Sequence, residues 1–422
     1  MAYWNILLSI LVFGTLTSGE LVRPLKGMQC LSIICETTSD LSFVQSYVHN
    51  INFDFLKLSN TIRDPIDVLV TAKELSTFKK TLQLRNISYI ILVDNVERAV
   101  QEELNSNTYA RLKSKATTGF EFPFTYYPRY AEISQYIKRV VTENSKKASL
   151  ESFGKTYEGR DLYVVKISSG GSNKPIILID AGIHAREWIS PTTALYAIHQ
   201  LLYNQSNAYL YQNVDWYIIP SINPDGYEYT HTSYRFWRKT RSVKNDMNCI
   251  GTDANRNFDY KWMTVGASSY PCSETYAGPK PFSEVETQAL RDLVESLQGN
   301  VKVYLTLHSY GQYLLHPWGW TSALPSNEPT LRSVGLKAAQ AIAQIYDTRY
   351  TVGSSTNVLY AAAGGSDDWV MAVGKADLSY TIELPGGRFD PPPSKINPIA
   401  VETFEAFKVF HEYVEKTYVR SK

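Results

Sequence analysis

From Thr117 onward, short apolar runs alternate with stretches of helical spacing, and this alternation constrains the fold more than any other feature of the sequence. Leu162–Ile167 alternates as a strand does, and Pro175–Asp180 is a short apolar strand. Thr192–Asn204 has helical spacing, and Trp216–Pro220 returns to a strand. Ser283-Glu284-Val285-Glu286 reads as a capping box that opens a helix reaching Leu297. Val301–Leu307 and Leu378–Leu384 are further strands, with helices over Thr330–Tyr346 and Pro398–Tyr418. Apolar strands alternating with helices predict an α/β domain, a mixed sheet covered by helices on both faces (an α/β/α sandwich).

The segment before Thr117 has a different rhythm. Met28–Ile34 reads as a strand, Asp40–Val48 as a helix, Phe53–Leu58 and Asp67–Val70 as strands, Lys73–Leu84 as a helix and Ser88–Val93 as a strand. That order, β-α-β-β-α-β, predicts a small α+β unit, a ferredoxin-like open sandwich. Asn95–Lys115 then reads as a long polar helix with little apolar stripe, as connectors between domains do. It ends in Arg111, Lys113 and Lys115, which a trypsin-like protease would cut. The same residues also suit a solvated helix end that complements its dipole, and spacing alone does not choose between the two.

Residues 1–19 read as a secretory signal: Ile6 to Phe13 are apolar except for Ser9, and Thr17 and Gly19 are small residues at a cleavage site. The expected organisation is therefore a signal over 1–19, a unit over 20–115 and a larger domain over 116–422, exported to an oxidising space. Lys and Arg total 42 against 41 Asp and Glu, so the charge balance offers no footprint for nucleic acid or an anionic membrane. Cys249 and Cys272 close a loop of a length that a disulfide can span. Cys30 and Cys35, five apart in a strand-like run, point to opposite faces and are expected to stay unpaired. Asn86 and Asn204 stand in N-x-[ST] sequons and are glycosylation candidates if exposed.

Chemistry enters at His184-Ala185-Arg186-Glu187, which directly follows a strand. The carboxyl ends of strands are where open α/β sheets bind ligands. A His and a Glu three apart on a turn can converge on one metal ion, and His308, after Val301–Leu307, stands at a second strand end. A catalytic zinc takes three protein ligands and keeps a position for water.

The chain resembles the pancreatic-type zinc procarboxypeptidases of the A/B subfamily. The resemblance is carried by His184-Ala185-Arg186-Glu187-Trp188, Asn223-Pro224-Asp225-Gly226-Tyr227, Phe236-Trp237-Arg238-Lys239-Thr240-Arg241 and Asp253-Ala254-Asn255-Arg256-Asn257. It continues in Pro271-Cys272-Ser273-Glu274-Thr275-Tyr276, His308-Ser309-Tyr310 and Gly364-Gly365-Ser366-Asp367-Asp368-Trp369. It implies a secreted, monomeric zymogen whose prodomain leaves after a trypsin-like cut near Arg111–Lys115, and an enzyme that acts on peptide and protein C-termini. His184, Glu187 and His308 would hold one Zn²⁺ per chain, the ligand set known for zinc carboxypeptidases. Asp253 would orient the first zinc histidine, although without the resemblance it reads as a capping or loop aspartate.

The resemblance further implies Glu383 as general base and Arg238 as the guanidinium that stabilises the oxyanion. It implies Asn255, Arg256 and Tyr360 on the substrate's terminal carboxylate, with Arg186 and Tyr310 also in the substrate-binding set. Cys249 and Cys272 fall at the positions of the family's disulfide.

In the resembled family the position of Asp367, seven residues after Tyr360, lies at the base of the pocket for the departing side chain. An aspartate there implies a B-type preference for Lys and Arg, where an apolar residue would imply an A-type preference for aromatic and aliphatic termini. An ion pair at about 4 Å and an effective dielectric of about 20 is worth roughly 4 kcal/mol before desolvation. Half of that gives a preference of roughly 30-fold. Read without the resemblance, Asp367 is a turn residue beside Asp368. Two departures touch the pocket's rim: one residue more than usual between Tyr360 and Glu383, and a shorter Leu384–Pro391 segment in which Phe389 is the candidate aromatic. A non-catalytic binding protein is the third reading, and the presence of every ligand and of Glu383 argues against it.

Overall fold

The computed structural model describes residues 23–48, 50–118, 124–243, 248–386 and 391–420. The expected signal at 1–19 and Phe389 lie outside the described residues.

The first unit is built from β1 (Gln29–Ile34), α1 (Thr38–Gln45), β2 (Phe53–Lys57), β3 (Ile66–Val70), α2 (Ala72–Leu84) and β4 (Ser88–Val93). Its antiparallel sheet has the order β2-β3-β1-β4, the predicted open sandwich. Alternate residues of each strand face opposite ways, so Leu31, Ile33, Val68 and Val70 pack with Phe78 and Leu82 of α2. Cys30 and Leu69 face the other side and pack with Ala185, Phe236 and Trp237 of the second unit. Cys30 and Cys35 are accordingly free and buried in separate clusters.

α3 (Val96–Thr118) runs unbroken past Lys115. It is less of a free connector than its polarity suggests, because it docks through polar side chains. Asn107 clamps the backbone of Tyr127, donating to its carbonyl at 3.0 Å and accepting from its N–H at 2.7 Å. Glu132 pairs with both Arg111 (2.9 Å) and Lys115 (3.1 Å).

The second unit comprises α4 (Tyr130–Glu143), β5 (Ala148–Lys155), β6 (Asp161–Ile167), β7 (Ile176–Ala181), α5 (Ile189–Tyr203), β8 (Asp215–Ile219), α6 (Pro224–Thr232) and α7 (Val285–Ser296). It continues with β9 (Val301–Ser309), β10 (Tyr313–His316), α8 (Glu328–Tyr346), β11 (Thr351–Ser354), α9 (Ser355–Val358), α10 (Ser366–Ala372), β12 (Leu378–Leu384) and α11 (Ile396–Val414). The sheet order is β11-β10-β12-β9-β7-β8-β6-β5; β12, β9, β7 and β8 run parallel, β10, β6 and β5 join by antiparallel pairings, and β11 pairs parallel to β10.

Both faces are buried, as the apolar runs predict. Ile177, Ile179, Leu305, Leu307, Tyr380 and Ile382 pack with helices α5, α8 and α11 on one side. Leu178, Tyr304, Leu293, Trp369 and Val370 form the core on the side of α7 and α10.

One local expectation fails. The cap of α7 is Glu284 rather than Ser283, and its side chain makes no capping bond. Ser283 Oγ instead donates to Glu284 Oε1, and Glu284 Oε2 accepts from Thr240 and Ser242. Buried hydroxyls thus outcompete the helix end for this carboxylate. Cys249 and Cys272 are disulfide-bonded, and Asn86 and Asn204 are both exposed. Among the described residues, no helix is long and apolar enough to cross a membrane.

Candidate active site

The chain leaves β7 toward β8 on one side of the sheet and later returns to β9 on the other. Such a change of direction opens a crevice at the carboxyl ends of the two central strands. His184-Ala185-Arg186-Glu187 occupies the turn between β7 and α5, and His308 lies near the end of β9. Parallel pairing sets Glu383 of β12 directly beside His308.

The three predicted ligands converge. His184 Nδ1 lies 2.8 Å from Glu187 Oε1, and His308 Nδ1 lies 3.1 Å from both Glu187 Oε2 and His184 Nδ1. Candidate ligand atoms of the three side chains lie within 4.8 Å of one another, and among the described residues no other His, Cys, Asp or Glu group does this. Two imidazole nitrogens facing each other across a carboxylate make a donor set that suits a divalent cation. His184 keeps its other nitrogen for Asp253 Oδ1 at 3.2 Å, the arrangement that fixes a ligand's tautomer.

The surrounding charges are shared within this cluster. Asp253 is fully buried, a cost that Arg238 and His184 outweigh, holding it well below the usual carboxylate range. Arg238 Nε and Nη2 both donate to Asp253 Oδ2, at 3.2 and 3.0 Å. That geometry turns the Nη1 edge away from Asp253. Burial also disfavours the charge on Glu187, but His184 and His308 reverse the balance and hold it far below its ordinary value. Burial pushes Glu383 up to about 7, with His308 and Arg238 opposing and Glu187 adding to the rise. A carboxyl near neutrality beside a metal site is matched to accepting and returning a proton.

A second group lies alongside. Arg256 Nη2 donates to the Tyr360 hydroxyl at 3.2 Å, its Nη1 to the Asn255 carbonyl and its Nε to the Gly266 carbonyl. Asn255 Oδ1 accepts from the Ser366 N–H at 3.0 Å, which ties this group to the start of α10. Gly364 makes that approach possible: its φ is +77°, and a Cβ there would lie 2.5 Å from the Arg256 carbonyl. Asp367 follows in the first turn of α10, where its Oδ2 accepts from Thr381 Oγ1 at 3.1 Å.

Arg186 and Tyr310 face the first unit instead. Arg186 Nη1 donates to both oxygens of Asp54 at 2.9 Å, and its Nη2 donates to the Phe55 carbonyl. The Tyr310 hydroxyl donates to Asp67 at 2.9 Å. Arg23 Nη1 reaches Asp54 (3.4 Å) and Glu274 (2.6 Å), bracing the contact from the other side. Burial would raise the carboxyl of Asp54, but Arg186 and Arg23 hold it below its ordinary value. Sequence reasoning missed Asp54, Asp67 and Arg23, whose partners are remote in the chain. Thr381 could have been found, because it lies two residues before Glu383 and so shares its face of β12.

Residues 133–406 match the zinc carboxypeptidase family, and residues 31–103 match the carboxypeptidase activation peptide. The chain belongs to the zinc carboxypeptidase family. It is 46% identical over 300 residues to carboxypeptidase B of Astacus astacus, covering 70% of this chain and 99% of that one. It is 35% identical over 408 residues to carboxypeptidase A1 of Bos taurus, covering 94% and 96%. Its fold matches the crystal structure of carboxypeptidase A from Helicoverpa armigera with a TM-score of 0.88 at 30% identity, covering 94% of this chain and 100% of that one. The protein is therefore a metallocarboxypeptidase made as a zymogen, with the first unit as its activation peptide.

Proposed function

We propose that this zymogen, secreted by way of its 1–19 segment and cut near Arg111–Lys115 by a trypsin-like protease, is a monomeric B-type carboxypeptidase that releases C-terminal Lys and Arg. One Zn²⁺ held by His184, Glu187 and His308 would supply a Lewis acid and an acidified water. Glu383 takes the proton at its carboxylate and returns it to the leaving amine. The Nη1 edge of Arg238 receives the carbonyl oxygen as negative charge develops on it. Asn255, Arg256 and Tyr360 grip the terminal carboxylate, which makes the enzyme an exopeptidase. Arg186 and Tyr310 serve the upstream residues of the substrate once Asp54 and Asp67 have left.

Asp367 carries the specificity. It is 6% exposed, and among the described residues no Lys or Arg pairs with it. A buried carboxylate without a cation is costly, and a substrate's terminal ammonium or guanidinium offsets that cost. The test compares release of Arg and Leu from matched peptides by the activated enzyme and by Asp367→Ala. Loss of the Arg preference in the variant supports the B-type reading. An unchanged preference rejects it, and a wild-type preference for Leu favours the A-type alternative.

A further inference from the structure

Asp180, Thr306 and Thr381 stand side by side, in register, on β7, β9 and β12. Period-two alternation puts Thr306 and Thr381 on the face that carries His308 and Glu383, one row deeper in the sheet. Thr306 Oγ1 donates to Asp180 Oδ1 at 2.8 Å, and the Tyr304 hydroxyl donates to Asp180 Oδ2. Across the same row, Thr381 Oγ1 donates to Asp367 Oδ2 (3.1 Å) and Ser379 Oγ to the Asp367 carbonyl (2.8 Å). Neighbouring threonines thus each bond a carboxylate one row beneath His308 and Glu383.

Asp180 is 0% exposed, and among the described residues it has no Lys or Arg partner. Burial pushes it up to about 6, against the pull of the Tyr304 and Thr306 hydroxyls, and Asp367 is among the charges that raise it. It lies within the electrostatic reach of Asp367, and of His308, which opposes the rise. Thr306 and Tyr304 donate to separate oxygens of Asp180, an arrangement that a carboxylate accepts and an amide side chain cannot. A cation at Asp367 would be attracted by both charges, and in a low-dielectric interior a charge one row away still counts.

We propose that Asp180 is a specificity-positioning residue, a second negative charge behind the pocket that strengthens selection of terminal Lys and Arg without touching them. The inference rests on the reading of Asp367 as the base of that pocket.

The experiment measures kcat and KM of the activated enzyme on matched peptides ending in Arg and Leu, for wild type, Asp180→Asn, Thr306→Val and Asp367→Ala. Asp180→Asn is expected to lower the Arg-to-Leu ratio of kcat/KM about tenfold, through KM for the Arg peptide. Thr306→Val keeps the carboxylate but removes one hydrogen bond to its charged form, so it should shift the ratio the same way by about threefold. It also serves as the test should Asp180→Asn fail to fold. A parallel fall for both peptides through kcat would make Asp180 a structural support of β9 and overturn the inference, as would an unchanged ratio. If Asp367→Ala removes the Arg preference and the other two variants keep it, only this inference fails. If Asp367→Ala keeps the preference, the reading of the pocket fails as well.

Discussion

In the eight-stranded sheet, buried charges meet partners brought alongside by strand register: His308 stands beside Glu383, and Thr306 beside Asp180. The four-stranded sheet of the activation peptide instead sends Asp54 and Asp67 outward, to Arg186 and Tyr310, 132 and 243 residues away in sequence. Both arrangements give buried polar groups their partners. The first lies wholly within the second unit, whereas the second exists only across the contact of the two units. On the proposed reading, Arg186 serves the substrate only once Asp54 has left it.

The comparison breaks most severely at Glu383. Glu383→Gln keeps the shape of the crevice but removes the proton acceptor, so kcat should fall by about 10²- to 10⁴-fold. Zinc content, measured by atomic absorption, should remain at the wild-type level. Loss of the metal in this variant would instead make Glu383 part of the metal-holding shell.

Next in size is Asp54→Ala, which leaves Arg186 and Arg23 facing each other in a buried space. Removing one partner of a buried pair costs about 3–5 kcal/mol, here drawn from docking of the activation peptide. The uncut zymogen should then hydrolyse small C-terminal substrates faster than wild type, while the activated enzyme keeps its rate. Equal basal rates in the two zymogens would show that shape, not this pair, blocks the crevice.

Much of this was legible in the sequence and some was not. Ser88–Val93 and Leu378–Leu384 were read to the residue, because apolar runs bounded by polar turns leave a strand few alternatives. His184, Glu187 and His308 were legible because strand ends are where side chains converge. The short helices α9 and α10 and strands β10 and β11 left too few periods to register. The cap of α7 was misread because Glu284 is bonded by buried hydroxyls distant in sequence, which no local pattern encodes. Asp54 was invisible for the same reason: its role exists only across the contact of two units.

A third kind of buried charge sharpens the contrast, being neither catalytic nor inhibitory. Glu286 is 0% exposed, and burial pushes it up to about 8, with Glu284 and Asp225 adding to the rise and backbone donors opposing it. Because the folded pKa exceeds the unfolded one, its ionisation destabilises the fold progressively as pH rises from about 4.5 to about 8. Glu286→Gln should therefore stabilise the protein by up to about 3 kcal/mol at pH 7 and by almost nothing at pH 4, by urea unfolding at both pH values. An equal effect at the two pH values would contradict the assignment.

The smallest effect belongs to the half-exposed pairs that Glu132 makes with Arg111 and Lys115. Glu132→Gln should change stability by no more than about 1 kcal/mol, with trypsin cleaving α3 a few-fold faster. A change of several kcal/mol would place this contact among the buried pairs.

The most direct test of the account is terminal-residue release from matched peptides ending in Arg, Lys, Phe, Leu and Glu, before and after trypsin, with and without a zinc chelator. The account predicts chelator-sensitive release of Arg and Lys that rises sharply after trypsin. Preferential release of Phe or Leu, or equal rates before and after cleavage, would contradict it.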